Sequence, residues 1–137
     1  MCYIVTGGCG FIGSNFVNML AGDTDSNIIV LDNMTYAADE DNINTCDRVR
    51  VIKTDIGEQS SVLDDIFAHN NVLGIFHFAA ESHVDNSITG PRIFVDTNFV
   101  GTFNLLDTLR QRDWGGRFVH ISTDEVYGAL SEDGPSF

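Results

Sequence analysis

The chain has 137 residues, 43% of them hydrophobic and 20% charged, which is enough to bury one sizeable core and too little for two ordinary domains. Seven Lys and Arg against 20 Asp and Glu give a formal charge of -13. That balance repels phosphate backbones and anionic lipid, so it argues against nucleic-acid and membrane-surface partners. A phosphate-bearing ligand must then be held mainly by backbone N–H groups.

No apolar run approaches the roughly 18 residues of a membrane span, and the short apolar start lacks a basic flank, so the sequence reads as cytoplasmic. Cys2, Cys9 and Cys46 are odd in number and form no CxxC pair. They read as ordinary reduced thiols, neither a disulfide framework nor a zinc site.

Apolar runs and helical patterns alternate along the chain. Residues 2–6, 28–32, 49–54, 73–78 and 117–122 are short, rich in Val, Ile and Phe, and bounded by Gly, Asp or Asn, which predicts five strands. Between them, residues 11–21, 60–69 and 92–112 space apolar side chains three or four apart, as in Val95, Phe99, Phe103 and Leu106, which predicts amphipathic helices. Strands that are apolar on both faces and joined by helices pair in parallel with right-handed crossovers. The expected fold is an α/β, doubly wound, Rossmann-type parallel sheet of order 3-2-1-4-5. Residues 33–47 and 79–90 are expected to be loops leaving the carboxyl ends of strands, where such a sheet builds its ligand site. Residues 128–137 have no periodicity and read as the start of a further loop.

The segment TGGCGFIG at residues 6–13 lies between the first strand and the first helix, and satisfies both GxGxxG and GxxGxxG through Gly7, Gly8, Gly10 and Gly13. Glycine serves a tight turn, close approach of backbone to a pyrophosphate, and close packing of helix on strand. The helix start then offers its N–H groups and the positive end of its dipole. The second strand ends at Asp32, 19 residues beyond Gly13. A carboxylate there accepts ribose hydroxyls and repels a 2′-phosphate, which favours NAD over NADP as cofactor. Asp55, at the end of the third strand, either faces the adenine or caps the next helix.

Glu81, Ser82, His83 and Asp85 follow the fourth strand. Cofactor and substrate contacts are the better reading of this run than a metal, which would need a fourth ligand and fixed geometry. His77 and His120 fall inside strands and read as core histidines. Ser122, Thr123, Asp124 and Glu125 end the fifth strand. Two neighbouring carboxylates there can supply an acid and a base together, or can serve as an N-cap with first-turn acids for a short helix; both readings stand.

Taken in order, TGGCGFIGSN (6–15), LDNMTYA (31–37), HFAAESHVDNSI (77–88), DTNFVGTFNLL (96–106) and HISTDEVYG (120–128) resemble the extended short-chain dehydrogenase/reductases. Within them the resemblance is to the nucleotide-sugar dehydratases of the dTDP-glucose 4,6-dehydratase group. It implies an NAD site lined by Gly7, Gly10, Phe11, Ile12, Gly13, Asp32, Asn33, Met34, Thr35, Asp55, Ile56, Phe78, Ala79, Ala80, Glu81, Ser82 and Thr97. Ser82 and Thr123 would touch the hexose of dTDP-glucose, with Asp124 as proton donor to the C6 hydroxyl and Glu125 as base at C5. The implied chemistry is C4 oxidation by NAD, elimination of water across C5 and C6, and return of hydride to C6.

The family oxidises C4 with a Tyr-xxx-Lys pair, whereas the one lysine here is Lys53. The chain therefore reads as an incomplete NAD-binding domain lacking the later strands and the sugar-nucleotide domain, and inactive alone. A homo-oligomer or a complementing C-terminal segment is the expected partner. Another epimerase or decarboxylase of the extended family, and a non-catalytic NAD-binding module, are the alternatives.

Overall fold

A computed structural model describes residues 1–44, 46–58 and 61–128. Five strands, β1 (Cys2–Thr6), β2 (Asn27–Asp32), β3 (Val49–Lys53), β4 (Val72–His77) and β5 (Arg117–His120), form one parallel sheet of order β3-β2-β1-β4-β5, as the alternation predicted. Helices α1 (Phe11–Asp23), α2 (Val62–His69), α3 (Val84–Thr89), α4 (Pro91–Phe94) and α5 (Thr102–Gln111) make the connections, with a π-helical segment, Val95–Gly101, joining α4 to α5.

Alternate residues of the central strands point to opposite faces, so each face has its own core. On one side Ile4, Ile29, Leu31 and Ile75 pack with Ile66 of α2 and Leu109 of α5. On the other, Val5, Ile28 and Val30 pack with Val17 of α1, and the Phe16 ring meets Phe76 and Phe78 at centroid distances of 4.6 and 5.1 Å. Arg112 reaches Asp64 and lies over the Phe67 ring, which fastens α5 to α2.

Three expectations need correction. Residues 79–90 are not all loop, because Val84–Thr89 forms α3, closed by the Gly90 N–H on the Asn86 carbonyl at 2.9 Å. Its only apolar residues, Val84 and Ile88, are exposed, so no buried periodicity marks the helix. The single helix expected over 92–112 is α4, the π-helical segment and α5 in succession, and it has two apolar faces. Gly101, Leu105 and Leu109 are buried, while Val95, Phe99, Phe103 and Leu106 are turned to solvent. His120 is exposed, not core, because it ends β5, which pairs only with β4 among the described residues. Ser60, expected to open α2, and residues 129–137 lie outside the described residues.

Among the described glycines, the closest approach to backbone is in the glycine turn. A Cβ on Gly13 would lie 2.2 Å from the Gly7 oxygen and 2.9 Å from the Gly8 Cα. Gly13→Ala is expected to cost about 2 kcal/mol or more, since backbone must move to admit the methyl. Urea unfolding checks this, and an unchanged midpoint would contradict it.

Candidate functional site

The carboxyl ends of β1, β2 and β4 open into a cleft of about 540 Å³. Its floor is the glycine turn. Gly7 adopts a φ of +67°, donates to the Leu31 carbonyl at 2.8 Å, and lies so close to the β4 exit that a Cβ would meet the Ala79 nitrogen at 2.5 Å. Any side chain at Gly7 is thus excluded twice, by conformation and by space. The turn delivers the chain into α1, whose first-turn N–H groups, including those of Phe11 and Ile12, have no acceptor within the helix. That turn carries no acidic residue. It therefore offers an anion the positive end of the dipole.

Asp32 is 8% exposed, and each carboxylate oxygen takes one backbone donor: Oδ2 accepts from Cys9 N–H and Oδ1 from Met34 N–H, both at 2.9 Å. It thereby ties the glycine turn to the β2 exit, and its remaining lone pairs are available to a diol at the cleft wall. Met34, at φ +58°, makes the reversal and packs beneath the loop rather than lining the cleft. Asn33 donates to Asp55 Oδ2 at 2.6 Å, and Asp55 Oδ1 accepts from Gly57 N–H at 2.7 Å. Asp55 is thus bound into its own turn and lines the cleft with Ile56, opposite Asp96 and Thr97.

The β4 exit supplies the remaining wall through Phe78, Ala79, Ala80 and Glu81. Glu81, 8% exposed, has its backbone bracketed by Asn98: its N–H donates to Asn98 Oδ1 at 2.8 Å and its carbonyl accepts from Asn98 Nδ2 at 2.9 Å. Tyr36 Oη donates to Glu81 Oε2 at 3.3 Å. The loop after β2 is therefore tied to that wall, and its Asp39 N–H donates to the Cys9 carbonyl.

Most expected cofactor contacts thus converge, among them Gly7, Gly10, Asp32, Asn33, Thr35 and Thr97. Gly13 is buried under the turn, while Phe11 and Ile12 stand exposed at the start of α1. Ser82 and Thr123 are exposed and do not line the cleft. Asp124 and Glu125 belong to a 3-10 turn, Asp124–Tyr127; their side chains lie outside the described residues. No cluster of metal-ligating side chains occurs among the described residues. Cys9 is fully buried in the turn, with its thiol pushed up to about 12 by burial and then by Asp32, so it serves as apolar filling.

Sequence reasoning missed Ala37, Ala38, Arg92 and Asp96 as lining residues. Arg92 is the one cation among the described lining residues, and its Nε donates to both Asp96 oxygens at 2.8 and 2.7 Å. The i,i+4 spacing of this pair on a helix was the available signal. A larger hollow of about 690 Å³ lies between α2 and α5, edged by Glu58, Asp64 and Asp107. It lacks the glycine turn, its Arg112 is paired with Asp64, and the helix start that lines it, that of α2, carries Asp64 and Asp65 in its first turn, so it suits an anion less well than the cleft.

A profile of the GDP-mannose 4,6 dehydratase family matches residues 4–136. The chain belongs to that family. Among relatives of this dehydratase family, a dTDP-glucose 4,6-dehydratase of Escherichia coli is 44% identical over 95% of the chain and 39% of its own length. A crystal structure of DesIV, a dTDP-glucose 4,6-dehydratase from Streptomyces venezuelae with NAD bound, superposes with a TM-score of 0.83 at 42% identity, covering 96% of the chain and 42% of that one. A UDP-glucose 4-epimerase from Thermotoga maritima gives the same TM-score at 29% identity, covering 99% and 42%. The chain therefore spans about two fifths of the length of these relatives. None of the described helices is long and apolar enough to cross a membrane.

His77 ends β4 outside the cleft lining. It is 1% exposed, and its pKa is lowered to about 4, first by burial and then by the charge on His120, whose ring lies 4.9 Å away. Its folded value lies below its unfolded one, so the unfolded chain takes up the proton first as pH falls. Stability is then lost between about pH 6.5 and 4. Asp107, held below its ordinary range by a hydrogen bond from Arg110, acts only at lower pH. Stability in urea should fall by about 2 kcal/mol from pH 7 to pH 5, and His77→Gln should flatten that slope. An equal slope in both proteins would contradict the assignment.

Proposed function

We propose that the chain is the NAD-binding portion of a nucleotide-sugar 4,6-dehydratase that converts dTDP-glucose to its 4-keto-6-deoxy product. The observation that carries this reading is the glycine turn locked to Asp32 at the mouth of a parallel sheet. A Cβ at Gly7 or Gly13 would run into backbone and force open the tight turn that shapes the cradle for a pyrophosphate, and the donors there are backbone N–H groups, as a chain of formal charge -13 requires. The residues present fit NAD on these grounds.

In this reading the first turn of α1 holds the pyrophosphate, Asp32 accepts the adenosine ribose hydroxyls, and Asp55, Ile56 and Thr97 enclose the adenine. NAD supplies the hydride acceptor for oxidation at C4 and the hydride that ends at C6. Ser82 and Thr123 orient the hexose. Asp124 delivers a proton to the departing C6 hydroxyl and Glu125 takes the C5 proton, which the C4 ketone makes acidic. Deprotonation of the C4 hydroxyl falls to a Tyr-xxx-Lys pair that these 137 residues do not contain.

The exposed apolar face of Val95, Phe99, Phe103 and Leu106 supports a homo-oligomer or a complementing C-terminal segment as its cover. The epimerase reading has the same sheet behind it, and the run STDEVYG at residues 122–128 with the higher identity to dehydratases favours elimination chemistry.

Calorimetry tests the cofactor. The chain should bind NAD at least about tenfold more tightly than NADP, since a 2′-phosphate would meet the Asp32 carboxylate. Asp32→Ala, measured at a temperature where it is folded, should narrow that ratio. Equal affinity of the unmodified chain for both cofactors would overturn the assignment.

A further inference from the structure

His77 does not line the cleft, yet its two ring nitrogens join the end of β1 to the start of α5. Nδ1 lies 2.6 Å from Thr6 Oγ1 and Nε2 lies 2.9 Å from Thr102 Oγ1. The direction of each bond follows from proton counting. The Thr102 hydroxyl donates its single proton to the Asn98 carbonyl at 2.8 Å, so toward His77 it can only accept, and Nε2 must carry a hydrogen. The neutral ring then has a bare Nδ1, which accepts from the Thr6 hydroxyl. Thr6 Oγ1 in turn accepts from Ala79 N–H at 3.3 Å. The bonds run in one sense, from Ala79 through Thr6, His77 and Thr102 to Asn98, whose side chain brackets the backbone of Glu81. The relay therefore begins and ends on the same cleft wall, two residues apart.

Thr102 sits where the helix changes register. In an α-helix its N–H would bond the Asn98 carbonyl, but here that N–H bonds the Phe99 carbonyl while the hydroxyl serves Asn98. The π-helical segment, a form that recurs at functional sites, thus ends on a hydroxyl that bonds both Asn98 and His77.

We infer that His77 is a positioning residue: as the Nε2–H imidazole it sets the π-helical turn and, through Asn98, holds the 79–81 wall at the height the dinucleotide requires. Burial at the end of β4 keeps the ring neutral, as the lowered pKa agrees. The inference rests on the NAD reading only for the identity of the ligand.

Three substitutions separate the two arms. His77→Gln keeps a donor for Thr102, His77→Asn keeps an acceptor for Thr6, and His77→Phe keeps neither. Amide hydrogen exchange in the full chain should show Glu81 N–H losing protection in the Asn and Phe variants and keeping it in Gln, with β1 and β2 unchanged. NAD affinity should fall about tenfold in Asn and Phe and stay within about threefold in Gln. Loss of protection spread evenly over the sheet, or full protection of Glu81 in His77→Asn, would overturn the proposal.

Nitrogen-15 NMR of the unmodified chain at pH 7 should find His77 as the Nε2–H tautomer, and an Nδ1–H tautomer would overturn it even if the variants fail to fold. Absence of NAD binding by the unmodified chain would count against the cofactor reading, while the tautomer and the Glu81 exchange would still decide the role of His77.

Discussion

Two backbone hydrogen bonds to the Asp32 carboxylate hold the site together. One fixes Cys9 in the middle of the glycine turn and the other fixes Met34, where the chain reverses after β2. A buried carboxylate with only one of these donors would be left short of partners, at a cost of a few kcal/mol. The turn and the loop therefore hold their places as a pair. Compression completes the arrangement, because Gly7 touches the β4 exit and Gly13 touches Gly7 with no room for a side chain at either. The first turn of α1, the β2 exit and the Ala79 wall are in this way placed by three contacts on one short segment.

The charge of the chain explains why the site is built from backbone. With 20 acidic residues against seven Lys and Arg, a cleft that relied on cationic side chains would have them neutralised by neighbours, as Arg92 is by Asp96. Peptide N–H groups at a helix start cannot be neutralised in that way, and α1 has no acid in its first turn to compete for them. The hollow between α2 and α5 is larger, but the helix start that lines it carries Asp64 and Asp65 in its first turn, so volume alone does not mark the site.

Much of this was legible in the sequence because the signals are local or periodic. Strands that are apolar on both faces gave the sheet and its order, and the glycine spacing with Asp32 at the next strand end gave the cradle. The π-helical segment was not legible, since it ends on Thr102, which meets His77, 25 residues away, in a contact that no periodicity encodes. Helix α3 escaped because it has six residues and both of its apolar side chains face solvent. His120 alternates as a core residue should, but no layer among the described residues covers it. The outward face of Val95, Phe99, Phe103 and Leu106 had the spacing of a core-facing stripe, and spacing alone does not say which of two apolar faces meets the sheet.

Backbone N–H groups of the glycine turn are the groups that would receive the ligand. Titrating the isotope-labelled chain with NAD and following backbone amides by nuclear magnetic resonance tests this directly. The largest shifts should fall at Gly10, Phe11 and Ile12, with smaller ones at Asn33 and Ala79. Shifts confined to the hollow between α2 and α5, at Asp64 and Asp107, would contradict it.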